Sequence, residues 1–229
     1  LDLQGGHVAV HAYSEAQGEG EAVKGECVVF DADGRETARM KGGTEWRPRL
    51  MYPSPSGDYV VGVFPVVDIA GPPHFYDATG LRNPIAKGSR EAWKQEYGGI
   101  TGGPRFSPKG DRVLLISGGV LVCDERGKKL WHRKGCRDAF FSPHMRYVAD
   151  LVDWNTLALL PMTGETLWET YLPHQRGALG HAVFSADEKT VLAATFQGDV
   201  YVLDAADGRI MGAWSSRQLG ALFPNQGPD

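Results

Sequence analysis

Aspartates that recur before glycine are the first residues whose spacing could support chemistry. Asp207-Gly208 closes the run "VLDAADG", and Asp33-Gly34 closes "FDADG". A calcium loop of the EF-hand type would need a bidentate glutamate at its twelfth position and a helix on each side, and neither run has them. Other segments carry a different residue in that position before the glycine: Arg126, Thr163 and Thr79. The pattern therefore predicts tight hairpin turns in which glycine supplies a positive φ.

Aspartates outside that turn position are candidates for acid–base chemistry, and they include Asp68, Asp138, Asp150 and Asp153. Glycoside hydrolases use two carboxylates whose separation decides the stereochemical outcome. In "YVADLVDWN", Asp150 and Asp153 interrupt an otherwise apolar strand, so burial would shift the pKa of at least one of them. The alternative is a structural aspartate that accepts hydrogen bonds from the backbone. Asp68, Asp150 and Asp153 are the candidate carboxylate set, and both interpretations stay open.

Histidines and cysteines form no metal-binding pattern. His7 and His11 are four residues apart in a predicted strand, which separates them by about 13 Å, too far for one ion. Cys27, Cys123 and Cys136 lack the spacing of a zinc site. Their odd, sparse number favours three thiols, with a Cys123–Cys136 bridge across a hairpin as the alternative. We predict no metal and no cofactor, and the serine-hydrolase, Walker and zinc-protease motifs are missing from the sequence.

Two widened segments offer the best predicted contact surface for another molecule. The first, Ser14 to Glu26, is acidic and carries Glu15, Glu19, Glu21 and Glu26. The second contains "SREAWKQEY", in which a short helix would place Trp93 and Tyr97 on one side. Arg90 in the same segment and His74 after the proline pair complete the predicted partner-binding set. The alternative for the aromatic pair is packing against its own sheet.

The elements that must position these residues repeat along the chain. "RFSPKGDRVLLIS" recurs as "FFSPHMRYVADLV" and "VFSADEKTVLAAT", with an earlier copy in "YPSPSGDYVVGVF". Each copy continues into a second apolar strand, a tight turn and a strand near a tryptophan: Trp131, Trp168 and Trp214. Units of about 40 residues with about four short strands each are the period of propeller blades. We expect the three tryptophans to pack between blades, with a binding role as the alternative.

Individual units resemble known propeller repeats. "LALLPMTGETLW" is similar to the repeat of pyrroloquinoline-quinone-type propellers at Ala158, Thr163, Gly164 and Trp168, although Leu160 replaces its aspartate. The "FSPxG" openings resemble those of WD-repeat and TolB-like propellers. The resemblance implies a fold and hardly a function, because propellers serve many roles. Quinone-dependent dehydrogenase activity is not expected, because this chain lacks the vicinal cysteines and the length of those enzymes.

The composition of the chain argues against two classes of partner, nucleic acids and membranes. The 229 residues carry a formal net charge of −4 with no basic stripe, so nucleic acid is not expected. The apolar runs fall short of the roughly 20 residues that a membrane helix needs, so membrane insertion is not expected either. Cytoplasmic and extracytoplasmic locations both stay open. The expected partner is another protein of unknown identity.

The sequence as a whole predicts an all-β fold, a β-propeller of four-stranded antiparallel blades in one domain over residues 1–229. The repeat units span about 1–52, 53–105, 106–140, 141–183 and 184–222, with the start of another at 223–229. These units form either a complete five-bladed ring or part of a larger one. The predicted function is a non-catalytic interaction, sensor or scaffold module. The alternative is an enzyme or small-ligand binder with carboxylates at the axial funnel.

Overall fold

The computed structural model describes residues 3–4, 6–13, 25–41, 50–63, 72–77, 80–81, 95–96, 100, 103–173, 178–215 and 218. In this part of the chain, 20 strands form five four-stranded antiparallel sheets, each made of strands that are consecutive in sequence. The chain divides into two compact units, residues 1–134 and 135–229. Among the described residues, no helix has both the length and the apolar character needed to cross a membrane.

The first unit contains sheets 1 to 3. Sheet 1 consists of β1 (Leu3–Gln4), β2 (His7–Tyr13), β3 (Gly25–Phe30) and β4 (Glu36–Lys41). Sheet 2 consists of β5 (Leu50–Pro53), β6 (Val60–Val63), β7 (His74–Asp77) and β8 (Gly80–Leu81). Sheet 3 consists of β9 (Arg105–Phe106), β10 (Arg112–Ile116), β11 (Gly119–Asp124) and β12 (Lys129–Lys134).

The second unit contains sheets 4 and 5. Sheet 4 consists of β13 (Asp138–Phe141), β14 (Tyr147–Leu151), β15 (Thr156–Pro161) and β16 (Trp168–Tyr171). Sheet 5 consists of β17 (Leu179–Phe184), β18 (Thr190–Thr195), β19 (Val200–Asp204) and β20 (Ile210–Trp214). The strands of both sheets follow one another as hairpins.

Sheet 2 shows why the middle strands are continuously apolar. All four residues of β6 are buried. Val60 packs toward sheet 1 in one core with Cys27 and Val29, whereas Val61 packs toward sheet 3 in a second core with Val113. Successive side chains of a strand point to opposite faces, so a sheet covered on both faces needs apolar residues at every position rather than at alternate ones.

The core of the second unit lies between sheets 4 and 5. Its members are fully or almost fully buried and include Ala149, Leu151, Leu157 and Leu159 from sheet 4, and Ala182, Val191, Ala193, Tyr201 and Leu203 from sheet 5. In β18 these residues alternate with more exposed ones, whereas β14 and β15 are buried almost throughout. The two sheets therefore differ in how many of their faces are covered.

Glycines close the tight turns at the predicted position. Their φ angles are 78° at Gly34, 75° at Gly127, 89° at Gly164 and 74° at Gly208. The amide of each glycine donates to the carbonyl of the residue three or four positions before it. L-residues with a Cβ rarely adopt this left-handed conformation, so the prediction of glycine-dependent turns is confirmed at these four positions. Thr79 lies outside the described residues.

An aspartate that begins three of these turns has a role that sequence reasoning missed. Asp31 Oδ1 accepts hydrogen bonds from the N–H groups of Asp33 and Arg35, at 3.0 and 2.9 Å. Asp124 and Asp204 accept backbone N–H groups in their own turns in the same way. A side chain that satisfies turn amides replaces water at exposed backbone groups. The acidic runs are therefore structural turns.

A second family of turns joins the first and second strands of four sheets, and each turn begins at a serine: Ser54, Ser107, Ser142 and Ser185. The serine hydroxyl accepts a backbone amide across the turn, at 3.0 Å from the N–H of Arg112 to Ser107. The residue three positions after the serine has a positive φ: 75° at Gly57, 74° at Gly110, 60° at Met145 and 57° at Glu188. In sheets 4 and 5 a residue with a side chain thus occupies a conformation that favours glycine.

The three cysteines are buried free thiols, which confirms the reading preferred from the sequence. Burial raises the pKa of Cys27 and of Cys123 to about 12. Burial also raises the pKa of Cys136, and the neighbouring Asp150 carboxylate raises it further. Since the thiolate is the reactive form, these thiols act as small apolar side chains.

The tryptophans do not share one strand position. Trp131 lies inside β12, Trp168 begins β16 and Trp214 ends β20. The expected packing between sheets is confirmed for Trp168, whose Nε1 donates to the Ala205 carbonyl of sheet 5 at 3.0 Å. Its ring lies so close to Gly208 that a Cβ there would approach it to 2.6 Å. Trp168 therefore packs between sheets 4 and 5.

We expect Trp168→Ala to reduce the free energy of unfolding of the second unit by about 3–5 kcal/mol, because a large ring leaves the contact between two sheets. Trp168→Phe keeps most of that contact and loses one hydrogen bond, at a cost of about 1 kcal/mol. Urea unfolding followed by circular dichroism measures both. An unfolding free energy for Trp168→Ala equal to that of the wild type would contradict the packing role.

Candidate interaction surface

Most of the predicted partner-binding residues lie outside the described part of the chain. This holds for Arg90, Trp93 and Tyr97, and also for Asp68 of the carboxylate set. His74 is described and lies in β7, where its Nδ1 is 2.7 Å from the Tyr76 hydroxyl oxygen. The surface built on these residues stays a prediction.

The two described carboxylates of the predicted set have different surroundings. Asp150 is fully buried in β14 beside the Cys136 thiol. Asp153 is exposed in the turn that follows, where its Oδ1 accepts the N–H groups of Asn155 and Thr156, both at 2.7 Å. The hydrogen bond from Asn155, followed by those from Thr156, holds the pKa of Asp153 below its usual value. A catalytic role for either residue stays a prediction.

The serine turns of sheets 4 and 5 meet through Glu188. The Glu188 side chain is buried, although the residue belongs to an exposed turn. Its Oε1 accepts the His144 N–H at 2.5 Å, and its Oε2 accepts the Arg146 Nε–H in an ion pair. His144 and Arg146 belong to the turn of sheet 4, so one carboxylate joins the two turns. These bonds explain how the positive φ of Glu188 is maintained.

At the Glu188 carboxylate, hydrogen bonds lower the pKa more than burial raises it. Burial raises the pKa of Glu188, but the hydrogen bond with Ser142, those from Arg146 and the His144 amide, and the charge of Arg146 together lower it more. The result is a pKa below the usual glutamate value. A group whose folded-state pKa is lowered stabilises the fold in its ionised form.

A groove of about 440 Å³ lies beside this joint and is lined by residues that include Arg146, Lys189, Asp187, Asp204 and Met211. Its charges are compensated locally, because Lys189 lies 3.9 Å from Asp187 and Arg209 lies 3.7 Å from Asp204. Arg146 pairs with Glu188. This balance is typical of a structural joint between sheets, since recognition of a charged ligand needs a surplus of the opposite sign.

Three exposed aromatic residues lie at the opposite end of the same two sheets, which we name the aromatic end: Trp154, Tyr171 and Phe196. Their exposed fractions are 57%, 62% and 71%. Trp154 lies between β14 and β15, Tyr171 ends β16, and Phe196 lies between β18 and β19. Isolated exposed apolar residues are ordinary, but a group of large ones at one edge is a feature of interaction sites.

The backbone connects the parts of the aromatic end. The N–H of Leu179, which begins β17, donates to the Trp154 carbonyl at 2.8 Å, and the N–H of Phe196 donates to the Ala178 carbonyl at 3.0 Å. The turns that carry Trp154 and Phe196 are therefore both bonded to the start of β17. The spacing of the two rings is set by sheet geometry.

The side chains of the aromatic end are also held in place. The Arg137 guanidinium lies over the Trp154 ring, with 3.2 Å between Cζ and the ring centroid. The Asn155 amide donates to the Tyr171 hydroxyl at 3.2 Å. The Phe196 ring covers Gly180 so closely that a Cβ there would lie 2.9 Å from it. Ordering these rings before binding lowers the entropic cost of association.

Comparison with known proteins identifies the fold through structure alone. No family model and no curated protein matches the sequence. The β-propeller domain of Cps50 (Swd1) from Myceliophteria thermophila matches with a TM-score of 0.57 and 12% identity, over 85% of this chain and 69% of that one. BamB from Moraxella catarrhalis matches with a TM-score of 0.51 and 19% identity, over 72% of this chain and 47% of BamB.

A computationally designed protein, Ika8, matches over 90% of this chain and 61% of its own, with a TM-score of 0.57 and 16% identity. These likenesses show a fold of the β-propeller type, built from repeated four-stranded sheets. The matched portion of the chain spans less than two thirds of both BamB and Ika8. The resemblance in repeat style, inferred from "LALLPMTGETLW" and the "FSPxG" openings, is thereby confirmed.

Sequence reasoning did not single out the aromatic end of this propeller repeat. Trp154 follows the segment "YVADLVD", which is apolar apart from two aspartates, and Phe196 stands in the connection "TFQGD". The available signal was a large aromatic residue in the same connection, between the second and third strands, in two successive repeats. Such residues could equally have turned inward, so only the structure shows their exposure.

We expect Glu188→Gln to be less stable than the wild type near pH 7 and to lose this difference in acid. The lowered pKa means that the ionised contacts contribute stability above the unfolded-state pKa of about 4.3, and that this contribution is lost as the pH falls through the folded-state pKa. Urea midpoints measured from about pH 7 to about pH 3 report the change.

Glu165→Gln is the matched control for this comparison, because Glu165 is an exposed glutamate in the same unit. Its stability should follow the wild type across the pH range. Parallel curves for the wild type and Glu188→Gln would show that the carboxylate does not join the two turns.

Proposed function

We propose that this chain is a protein-binding module and that the aromatic end of sheets 4 and 5 is its contact surface. The observation that carries the proposal is the exposure of Trp154, Tyr171 and Phe196 at one end of two hydrogen-bonded sheets. Trp and Tyr are enriched among the residues that dominate the binding energy of protein interfaces.

Three properties support a protein as the ligand class. The rings are largely apolar and exposed, so a partner can bury large apolar areas on them at little desolvation cost. The bonds from Arg137 and Asn155 keep two of them in fixed orientations. The polar groups beside them, such as Asp153, are already bonded to the chain itself. An apolar centre with a polar rim is the usual anatomy of a protein interface.

The arrangement of the five sheets in the chain is part of the same proposal. The five sheets are consecutive blades of a single propeller domain over residues 1–229, forming either a complete five-bladed ring or part of a larger one. The segment with Arg90, Trp93 and Tyr97, together with His74, is a second proposed contact surface. The fold supports this reading because connections on a repeat scaffold often carry the binding residues.

The proposal is tested by affinity capture with the wild type and with the double variant Trp154→Ala/Phe196→Ala. We expect the double variant to lose at least tenfold of any specifically captured protein, because each anchor contributes about 2 kcal/mol or more. The captured proteins are identified by mass spectrometry, and binding is then measured with the purified partner.

Leu167→Ala is the matched control, because Leu167 is also exposed but lies beyond the aromatic end, in the turn that precedes β16. Its capture profile should equal that of the wild type. A parallel double variant, Trp93→Ala/Tyr97→Ala, tests the second surface. Retention of every partner by the first double variant, with folding intact, would overturn the assignment of the aromatic end.

A further inference from the structure

Arg137 places a positive charge at the aromatic end, and its contacts do not include a carboxylate. The guanidinium is half-buried and lies over the Trp154 ring, with Nη1 3.5 Å from the Leu179 carbonyl oxygen. Among the residues that the structure describes, no Asp or Glu forms an ion pair with it. Arginine keeps its charge at every physiological pH, so this group favours an anionic partner.

The stack on Trp154 leaves the N–H groups of Arg137 pointing sideways. With 3.2 Å between Cζ and the ring centroid, a tilted guanidinium would push a nitrogen into the ring, so its flat face must lie against the indole. The five N–H bonds of a guanidinium lie in its plane, and one nitrogen is directed at Leu179. The rest of the edge can donate to both oxygens of one carboxylate, which is the geometry that arginine favours.

Asp153 is an acidic neighbour of this guanidinium, but its own turn holds it. Its Oδ1 accepts the N–H groups of Asn155 and Thr156, and its Oδ2 accepts the Thr156 hydroxyl at 3.1 Å. The hydrogen bond from Asn155, followed by those from Thr156, lowers the pKa of Asp153, and the charge of Arg137 adds a smaller contribution. Asp153 is thus close enough to feel the charge of Arg137 without occupying its donors.

Arg137 reaches the start of β17, to which the turns of the aromatic end are bonded. It contacts the Trp154 ring on one side and the Leu179 carbonyl on the other. The next residue, Gly180, is covered by the Phe196 ring. A carboxylate on Arg137 would therefore have one large ring on each side. A side chain within a peptide segment has apolar neighbours in both directions to cover these rings, whereas a terminal carboxylate has them in one.

We propose that the aromatic end binds a segment of another protein in which an Asp or Glu side chain lies between large apolar residues. The carboxylate pairs with Arg137, and the apolar residues cover Trp154 and Phe196. This inference rests on the proposed function and adds the chemistry of the partner. Apolar residues alone would desolvate the Arg137 charge without pairing it, which is unfavourable. An acidic group replaces the lost water and selects among apolar partners.

Peptide selection on the whole chain tests the proposal. A phage library of random peptides, fused to the coat protein through their carboxyl ends, is selected on the wild type and on Arg137→Gln. We expect the wild type to enrich peptides with an acidic residue between large apolar ones. The variant should enrich apolar peptides without the acid, because it loses the cation and keeps the three rings. A second library with free carboxyl ends tests the terminal carboxylate as the source.

A matched pair of peptides measures the contact of Arg137 itself. The most enriched peptide is synthesised with both ends blocked, and a second version carries the amide in place of the acid. The wild type should bind the acidic version at least tenfold more tightly in calorimetry, because a charged pair of hydrogen bonds is lost in the other. Arg137→Gln should bind both versions alike. Arg137→Lys keeps the charge but not the planar fork, so it should retain part of the preference.

Arg209→Gln is the matched control, because Arg209 is an exposed arginine of the same unit in the turn between β19 and β20. It should keep the wild-type preference, and circular dichroism verifies the folding of each variant. The comparison of the two peptides on the wild type depends on no variant.

Three results would overturn this inference and leave the proposed function in place: enriched peptides without an acid, an acid needed only at a free carboxyl end, or equal binding of the two peptides by the wild type. A preference for the acid that persists in folded Arg137→Gln would overturn the role of Arg137. A wild type that enriches no peptide, or peptides that bind Trp154→Ala/Phe196→Ala as tightly as the wild type, would overturn both proposals.

Discussion

The middle strands of sheets 2 and 4 are buried on both faces, and that constraint shapes the rest of the structure. A sheet buries such faces only against other sheets, and the cores between sheets 1 and 2, 2 and 3, and 4 and 5 do so. The continuous burial of β6, β14 and β15 follows from it, as does the alternation in β18. Repeat architectures depend on this nearest-neighbour coverage.

Some of the turns also stabilise the packing of one sheet against the next. Where glycine closes a turn, the left-handed backbone conformation meets no clash from a Cβ. The backbone of Glu188 adopts the left-handed conformation, and its carboxylate accepts a hydrogen bond from the turn of the neighbouring sheet. The strain of that conformation is offset by contacts that only adjacent sheets can provide. Trp168 acts at the same joint through the Ala205 carbonyl. The hydrogen bonds of the turns and the packing of adjacent sheets thus stabilise the same contact between sheets 4 and 5.

Much of this fold was predictable because periodicity and glycine position are local properties. The four strands per repeat and the positive φ at Gly127 or Gly208 followed from patterns within about 40 residues. The roles of Asp31 and Asp124 as turn acceptors were missed, because the turn prediction considered only the glycine and the residue before it. The exposure of Phe196 was not predictable, because the direction of a side chain in a connection depends on contacts distant in sequence.

The most direct test of the stacking account is amide hydrogen exchange in the second unit, measured by mass spectrometry at a dilute concentration. The account predicts that amides of β14 and β15, whose side chains are buried on both faces, exchange with close to the global unfolding free energy. Amides of β18 and β19, with one open face, should exchange markedly faster. Equal protection of the two sheets, or faster exchange in β14 and β15, would contradict the dependence of the structure on face coverage.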